Sequence, residues 1–204
     1  MVKLQGLVQP HNPSWALHFA KVRDNLLSIL KEIPILSIEH VGSTSIPDLL
    51  AKPVLDIDIV VPNNDVLESA RTALVAAGYT DLGEMGIKDR VGFRQPGNPH
   101  WKTDATGPAE GVSWEDEMRR NVYVVLEGST ALKNHRDVQR VLIEDGELRN
   151  RYGEVKRELA ERELDDLRPL RTYRLGKNEI MLEILRRAGW GEEELEEVRR
   201  ANLE

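Results

Sequence analysis

Early in the chain, apolar positions fall at three- and four-residue steps. Trp15, Phe19, Val22, Leu26, Ile29 and Ile33 recur this way over residues 12–33, the stripe of a helix with one face toward a core. Asn12 is a good N-cap, Pro13 suits the first helical position, and Pro34 ends the run. The period then drops to two. Leu36 and Ile38 alternate with Ser37 and Glu39, which predicts a strand over Ile35–Val41. Gly42-Ser43-Thr44-Ser45 is a polar turn, and one short helical turn is expected over Ser45–Leu50 with Ser45 as its cap. Pro53–Val61 is the clearest strand: Leu55, Ile57, Ile59 and Val61 point one way, and Val54, Asp56, Asp58 and Val60 the other.

Pro62-Asn63-Asn64 caps a helix to about Ala77, with Val66, Leu67, Ala70, Leu74 and Ala77 as its apolar face and Gly78 as its stop. Strands follow at Tyr79–Leu82 and Arg90–Gln95. Residues 96–117 are rich in Pro, Gly, Asp and Thr and read as one long loop, a length that in compact domains tends to go with function or mobility. In the strand Arg120–Leu126, Val122, Val124 and Leu126 share one face, and Asn121, Tyr123 and Val125 the other. Beyond it the pattern is helical: Thr130–Asp145, Glu147 to about Asp166, a connector Leu167–Arg174 broken by Pro169, Leu175–Ala188, and a charged helix Glu192–Ala201. The chain thus divides into an α/β core over residues 1–128 and a helical part over residues 129–204, two parts of one domain or two adjoining units.

Composition narrows the chemistry. The 204 residues are 40% apolar and 31% charged, ordinary for a folded chain and too apolar for a disordered one. There is no cysteine, which removes disulfides, thiolate nucleophiles and Cys-ligated metals, so any metal must sit on harder ligands. No secretory signal is visible in Met1–Pro10 and no run is long and apolar enough to span a membrane, so a cytoplasmic protein without membrane partners is expected. The formal net charge of −7 argues against long nucleic acid as a partner.

Asp56 and Asp58 lie two apart on one strand, so their carboxylates share a face. Two buried like charges need a cation or a shared proton, and Mg²⁺ takes carboxylate oxygens while keeping water or phosphate ligands. Gly42 allows close backbone approach to a phosphate, and the Ser43 hydroxyl with nearby amides, including that of Thr44, can donate to its oxygens. A Gly-Ser turn followed by a paired-Asp strand outlines a phosphoryl- or nucleotidyl-transfer site using metal ions. Lys52 either balances the acidic pair or is simply exposed. His40 contacts phosphate or packs, and mid-helix His135 reads as a packing or surface residue. Trp101 and Trp114 anchor the long loop or stack on a base.

The stretch Ile38-Glu39-His40-Val41-Gly42-Ser43-Thr44-Ser45-Ile46-Pro47, continued by Ala51-Lys52-Pro53-Val54-Leu55-Asp56-Ile57-Asp58, resembles the GrpB family. Weaker similarity runs through Arg120–Val124, Asn134-His135-Arg136, Tyr152–Lys156, Tyr173 and Gly176-Lys177. The resemblance implies a nucleotidyltransferase fold of the DNA polymerase β-like superfamily: a mixed, mostly antiparallel sheet flanked by helices, with a C-terminal helical part. It implies that Gly42 and Ser43 cradle phosphate, that Asp56 and Asp58 hold metal, and that Tyr173 and Lys177 reach the nucleotide from the helical part. The sequence departs from the superfamily on the later strand, where active enzymes generally carry a third carboxylate. Asn121 and Tyr123 stand there instead, and Asn121 joins the ligand-binding candidates. Glu39 and Glu115-Asp116-Glu117 are the acids that could replace it.

The expected function is therefore Mg²⁺-dependent transfer of a nucleotidyl group from a nucleoside triphosphate to a small-molecule or protein acceptor, with Asp56, Asp58 and Ser43 at the chemistry. The alternatives are a nucleotide or phosphometabolite sensor that has lost turnover, and a structural or interaction protein.

Overall fold

The computed structural model describes residues 2–3, 7–96, 118–161, 163–164, 172–173 and 175–203. Trp101, Trp114, Glu115-Asp116-Glu117 and most of the connector around Pro169 lie outside the described residues.

Helix α1 spans Ser14–Ile29. Asn12 is its polar anchor, with Oδ1 accepting from Ser14 N–H at 3.0 Å. The helix begins one residue later than Asn12 as N-cap suggests and stops short of Ile33. The residue before a proline is pushed out of the helical region, and the chain before Pro34 accordingly unwinds through tight turns, Ile33 N–H to Leu30 O and Ile35 N–H to Ile33 O. The same effect moves the predicted helical turn after the first strand. Ile46, which precedes Pro47, is extended, so the single 3₁₀ turn covers Ser43–Ser45 rather than Ser45–Leu50.

Five strands form one sheet: β2 (Ser37–Val41), β3 (Leu55–Val61), β4 (Thr80–Gly83), β5 (Arg90–Arg94) and β6 (Arg120–Leu126), in the order β2-β3-β6-β5-β4. Only β3 and β6 run parallel; the other neighbours are antiparallel. This is the mixed, mostly antiparallel sheet that the family resemblance implies. Helix α2 (Asn64–Ala76) is capped by Asn63, whose side chain accepts from Val66 N–H. Its Leu67, Ala70 and Leu74 join Trp15 and Leu26 of α1 on the face carrying Leu55, Ile57, Ile59, Val61, Val122 and Val124.

The other sheet face carries Asp56, Asp58 and Val60. Val60 and Val125 are covered by Ala131 and Leu132 at the start of helix α3 (Thr130–Glu144). Helices α4 (Gly146–Glu161), α5 (Asn178–Arg187) and α6 (Glu192–Leu203) build a second cluster with α3, centred on Leu142, Leu182, Ile184 and Leu185. Ile46 and Leu49, from the segment after the Gly-Ser turn, sit inside it. Helix α4 ends earlier than its sequence pattern suggests, and Glu163–Leu164 (β7) pairs antiparallel with Val2–Lys3 (β1). Among the described residues no helix is long and apolar enough to cross a membrane.

Ile59 is wholly buried at the centre of the sheet. Ile59→Ala should lower unfolding free energy by about 2–5 kcal/mol, as large-to-small core changes do. Urea denaturation followed by circular dichroism measures it, and a loss below about 1 kcal/mol, outside that range, would show that this face is not the packed core.

Candidate functional site

The site begins with strand register. Asp56 faces Asn121 and Asp58 faces Tyr123 across the parallel β3–β6 pair, and partners in register point to the same side of a sheet. Asn121 Nδ2 donates to Asp56 Oδ1 at 2.8 Å. Burial pushes the Asp56 carboxyl above the usual carboxylate range, opposed by the Asn121 hydrogen bond and by attraction to His135 and Lys177. Asp58 is fully buried. Its Oδ2 lies 2.7 Å from His135 Nδ1 on α3. An ionised carboxylate only accepts, so the Nδ1–H of His135 donates. Asp58 Oδ1 is buried with no hydrogen-bond partner among the described residues, a costly state for a polar oxygen.

The Gly-Ser turn presses against this pair. Gly42 has φ 70° and ψ −169°, a region open in practice to glycine alone. A Cβ there would stand 2.9 Å from Asp56 Cβ and overlap Asp56 Oδ2. The turn is held from three sides. Ser45 Oγ donates to Gly42 O at 2.7 Å. Gln139 Nε2 of α3 donates to His40 O and to Ser45 Oγ. Lys156 Nζ of α4 donates to Ser43 Oγ at 2.6 Å and to Leu50 O at 2.8 Å. Thr44 is buried, and its hydroxyl donates to Val54 O while meeting His40 Nε2 at 3.0 Å. The Thr44 side chain is thus engaged within the fold and contributes at most its backbone to a ligand.

Lysines converge on the acidic pair from separate segments. Lys52 Nζ lies 4.4 Å and Lys177 Nζ 5.0 Å from the centre of the Tyr173 ring, both within cation–π range. Lys156 Nζ lies 4.1 Å from the Tyr152 ring centre. Burial brings Lys52 down to about 8, with repulsion from Lys177 adding to it and Asp56 opposing. Burial holds Lys156 well below the usual lysine range, again with Lys177 and Lys52 adding and Asp56 opposing. Three lysine side chains thus gather within electrostatic reach of Asp56, an arrangement able to attract an anion.

The structure thus gathers Gly42, Ser43, Lys52, Asp56, Asp58, Asn121, Tyr173 and Lys177 into one neighbourhood. Glu39 does not serve as a third acid. It faces Asp58 across β2–β3, but Arg136 Nη2 and Nε hold its two oxygens at 2.7 and 3.0 Å; that hydrogen bonding keeps its pKa low against burial. Among the described residues no cluster of three or more acids and histidines is arranged to hold a metal ion. His40 is a packing residue: its ring stacks on Phe19 with centroids 4.7 Å apart. Two site residues were missed in the sequence, His135 and Lys156. Lys156 left a trace, because it lies on the apolar stripe Leu148, Tyr152, Val155 and Leu159 of α4, where a lysine needs a buried partner. His135 left only its place in the family resemblance and no sign of its role, since its partner Asp58 is far away in sequence.

Gly42→Ala should cost on the order of 1–3 kcal/mol from backbone strain, with more from the Asp56 overlap. Unchanged stability on chemical denaturation would show that the turn relaxes freely. His40 supplies a pH test. Burial depresses its pKa from 6.5 to about 4, so the unfolded chain binds the proton first and stability is lost as pH falls from about 6.5 to about 4. His40→Gln should flatten that part of the stability–pH curve, and a parallel curve would show that His40 does not titrate this way.

The family profile described as GrpB protein matches residues 7–187. The chain is 27% identical over 169 residues to UPF0157 protein YqkA of Bacillus subtilis, covering 83% of this chain and 43% of that protein. It therefore spans under half the length of that relative. It is 30% identical over 179 residues to UPF0157 protein SCO7215 of Streptomyces coelicolor, covering 88% and 82% respectively. The crystal structure of conserved protein GrpB from Enterococcus faecalis superposes with a TM-score of 0.69 at 24% identity, over 89% of this chain and 96% of that one. A sheet of this order, a Gly-Ser turn against a paired-Asp strand, and a profile match over most of its length place the chain in the GrpB family.

Proposed function

We propose that the chain binds a nucleoside triphosphate at this pocket and transfers its nucleotidyl group to a hydroxyl or other nucleophile on a small molecule or protein. The observation carrying the proposal is the meeting of Asp56 and Asp58 with Lys52, Lys156 and Lys177 beside a glycine turn too close to Asp56 for any side chain. The carboxylates suit a cation, and the ammonium groups suit the polyphosphate that accompanies it.

The donor set fits Mg²⁺. Asp58 Oδ1 is a buried acceptor without a partner among the described residues, and Asp56 lies two positions before it on the same strand face. Asp56 and Asp58 would hold the ion, with phosphate and water completing the hard oxygen shell. When bound, Mg²⁺ supplies charge neutralisation and polarisation of phosphoryl oxygens. The protein's own groups do the rest. Gly42 admits the phosphate chain to the backbone. Lys52 and Lys177 offset charge that grows on the leaving pyrophosphate, a task that oriented cations perform without reorganisation. Asn121 fixes the Asp56 carboxylate by its 2.8 Å hydrogen bond, and His135 fixes that of Asp58. The overall acidity of the chain leaves long nucleic acid the poorest acceptor.

One observation favours a second reading. At the register positions where a third carboxylate would complete the pair stand Asn121 and Tyr123. Tyr123 is no ready base: burial and the nearby carboxylates raise its phenol pKa, with Arg90 opposing. A nucleotide or phosphometabolite sensor without turnover has this composition.

Calorimetric titration with ATP, CTP, GTP and UTP, with and without Mg²⁺, separates the readings. Metal-dependent binding is expected for at least one nucleotide, weakened about tenfold or more, some 1.4 kcal/mol, by Asp56→Asn with Asp58→Asn. No binding under either condition removes the proposal. Binding without pyrophosphate release across a broad acceptor panel supports the sensor.

A further inference from the structure

The unusual pairing in the pocket is Ser43 with Lys156. Lys156 is 2% exposed, and its Nζ lies 2.6 Å from Ser43 Oγ and 2.8 Å from Leu50 O. In the structure Nζ donates to both oxygens; as a neutral amine, at the same distance, it would turn its lone pair to the Ser43 hydroxyl and keep one N–H on the Leu50 carbonyl, with the Tyr152 ring covering another side. Burial, with Lys177 and Lys52 nearby, favours that neutral form. A serine hydroxyl within hydrogen-bond reach of a base is the arrangement of an activated nucleophile. Ser43 is half-buried, and it follows directly on the glycine that abuts Asp56.

The rest of the site points the same way. No described acid stands ready to take a proton from an outside hydroxyl: Asn121 and Tyr123 occupy the strand positions facing the pair, and Arg136 holds Glu39. Thr44 is bound to His40 and Val54. Ser43 is the hydroxyl in the turn that an amine contacts.

We propose that Ser43 is itself a nucleotidyl acceptor, attacking the α-phosphorus of a bound nucleoside triphosphate with Lys156 Nζ as the base, to leave a nucleoside monophosphate on Ser43 Oγ. The inference rests on the nucleotide reading of the site. The Oγ–H proton passes to Nζ, the Oγ–P bond forms, and the bond from Pα to the bridging oxygen breaks. Its electron pair leaves with pyrophosphate beside Lys52 and Lys177. The adduct is a phosphodiester, and no oxidant, reductant or further reactant enters the step.

The test is intact-mass spectrometry of the full chain after incubation with Mg²⁺ and each nucleoside triphosphate, quenched in acid, with the site mapped by peptide fragmentation and binding measured in parallel by calorimetry. The expected result is a mass gain of one nucleoside monophosphate on Ser43. It should be absent in Ser43→Ala and reduced at least a hundredfold in rate in Lys156→Met, on the order of a lost general base. Because Lys156 is buried, its variant is first checked for native circular dichroism. If it does not fold, the wild-type map and Ser43→Ala decide. Nucleotide binding without an adduct, an adduct on another residue, or gain of a phosphate alone overturns the proposal while leaving nucleotide binding intact. No nucleotide binding overturns this proposal together with the reading beneath it.

Discussion

Two aspartates side by side on the inner face of a central strand are the constraint around which the structure is arranged. Asp58 is fully buried and Asp56 is pushed toward its neutral form by burial. A hydrophobic chain would place valines there, as it does at Val60 one step along the same face. Retaining carboxylates instead requires every neighbour to answer them. Asn121 answers from the parallel strand, His135 from α3, Lys52 from the segment between β2 and β3, and Lys156 and Lys177 from the helical part. One oxygen, Asp58 Oδ1, stays without a partner among the described residues, and that residual imbalance is the physical case for a cation at the site.

The helical part is therefore more than an appendage. Gln139 of α3 and Lys156 of α4 fix the turn at Gly42–Ser45 and the segment to Leu50, while Ile46 and Leu49 from that same segment are packed in the helical cluster. The turn is shaped by the sheet on one side and clamped by helices on the other. Buried polar contacts of this kind contribute little net stability each, but breaking one leaves its partner unsatisfied. The acidic net charge of the chain also takes on a different meaning. Charge at the pocket is set by the local cluster, which brings lysines to the carboxylates, and not by the total of −7.

Much of this was legible in the sequence where the signal was local. Alternation along Leu55–Val61 gave the two faces of β3, hence which side holds the acids and which the core, and Asn63 marked the start of α2 through its own hydrogen bond. Errors fell where a proline acted on its neighbour: before Pro34, where α1 unwinds, and before Pro47, where the helical turn shifts toward Gly42. The Gly-Ser turn and the Asp pair stood out because their chemistry is written in adjacent letters. His135 and Lys156 did not, because their roles exist only through contacts 77 and 113 residues away. Lys52 was ambiguous for the same reason: only the fold brings it to Tyr173 and the acidic pair.

The most direct test of the account is a crystal structure of the chain grown with Mg²⁺ and a non-hydrolysable nucleoside triphosphate. The account predicts a triphosphate lying between the Gly42-Ser43 turn and Lys52 and Lys177, with metal density on Asp56 and Asp58. A nucleotide bound elsewhere on the surface, or a pocket whose carboxylates keep only their Asn121 and His135 contacts at saturating ligand, would contradict it.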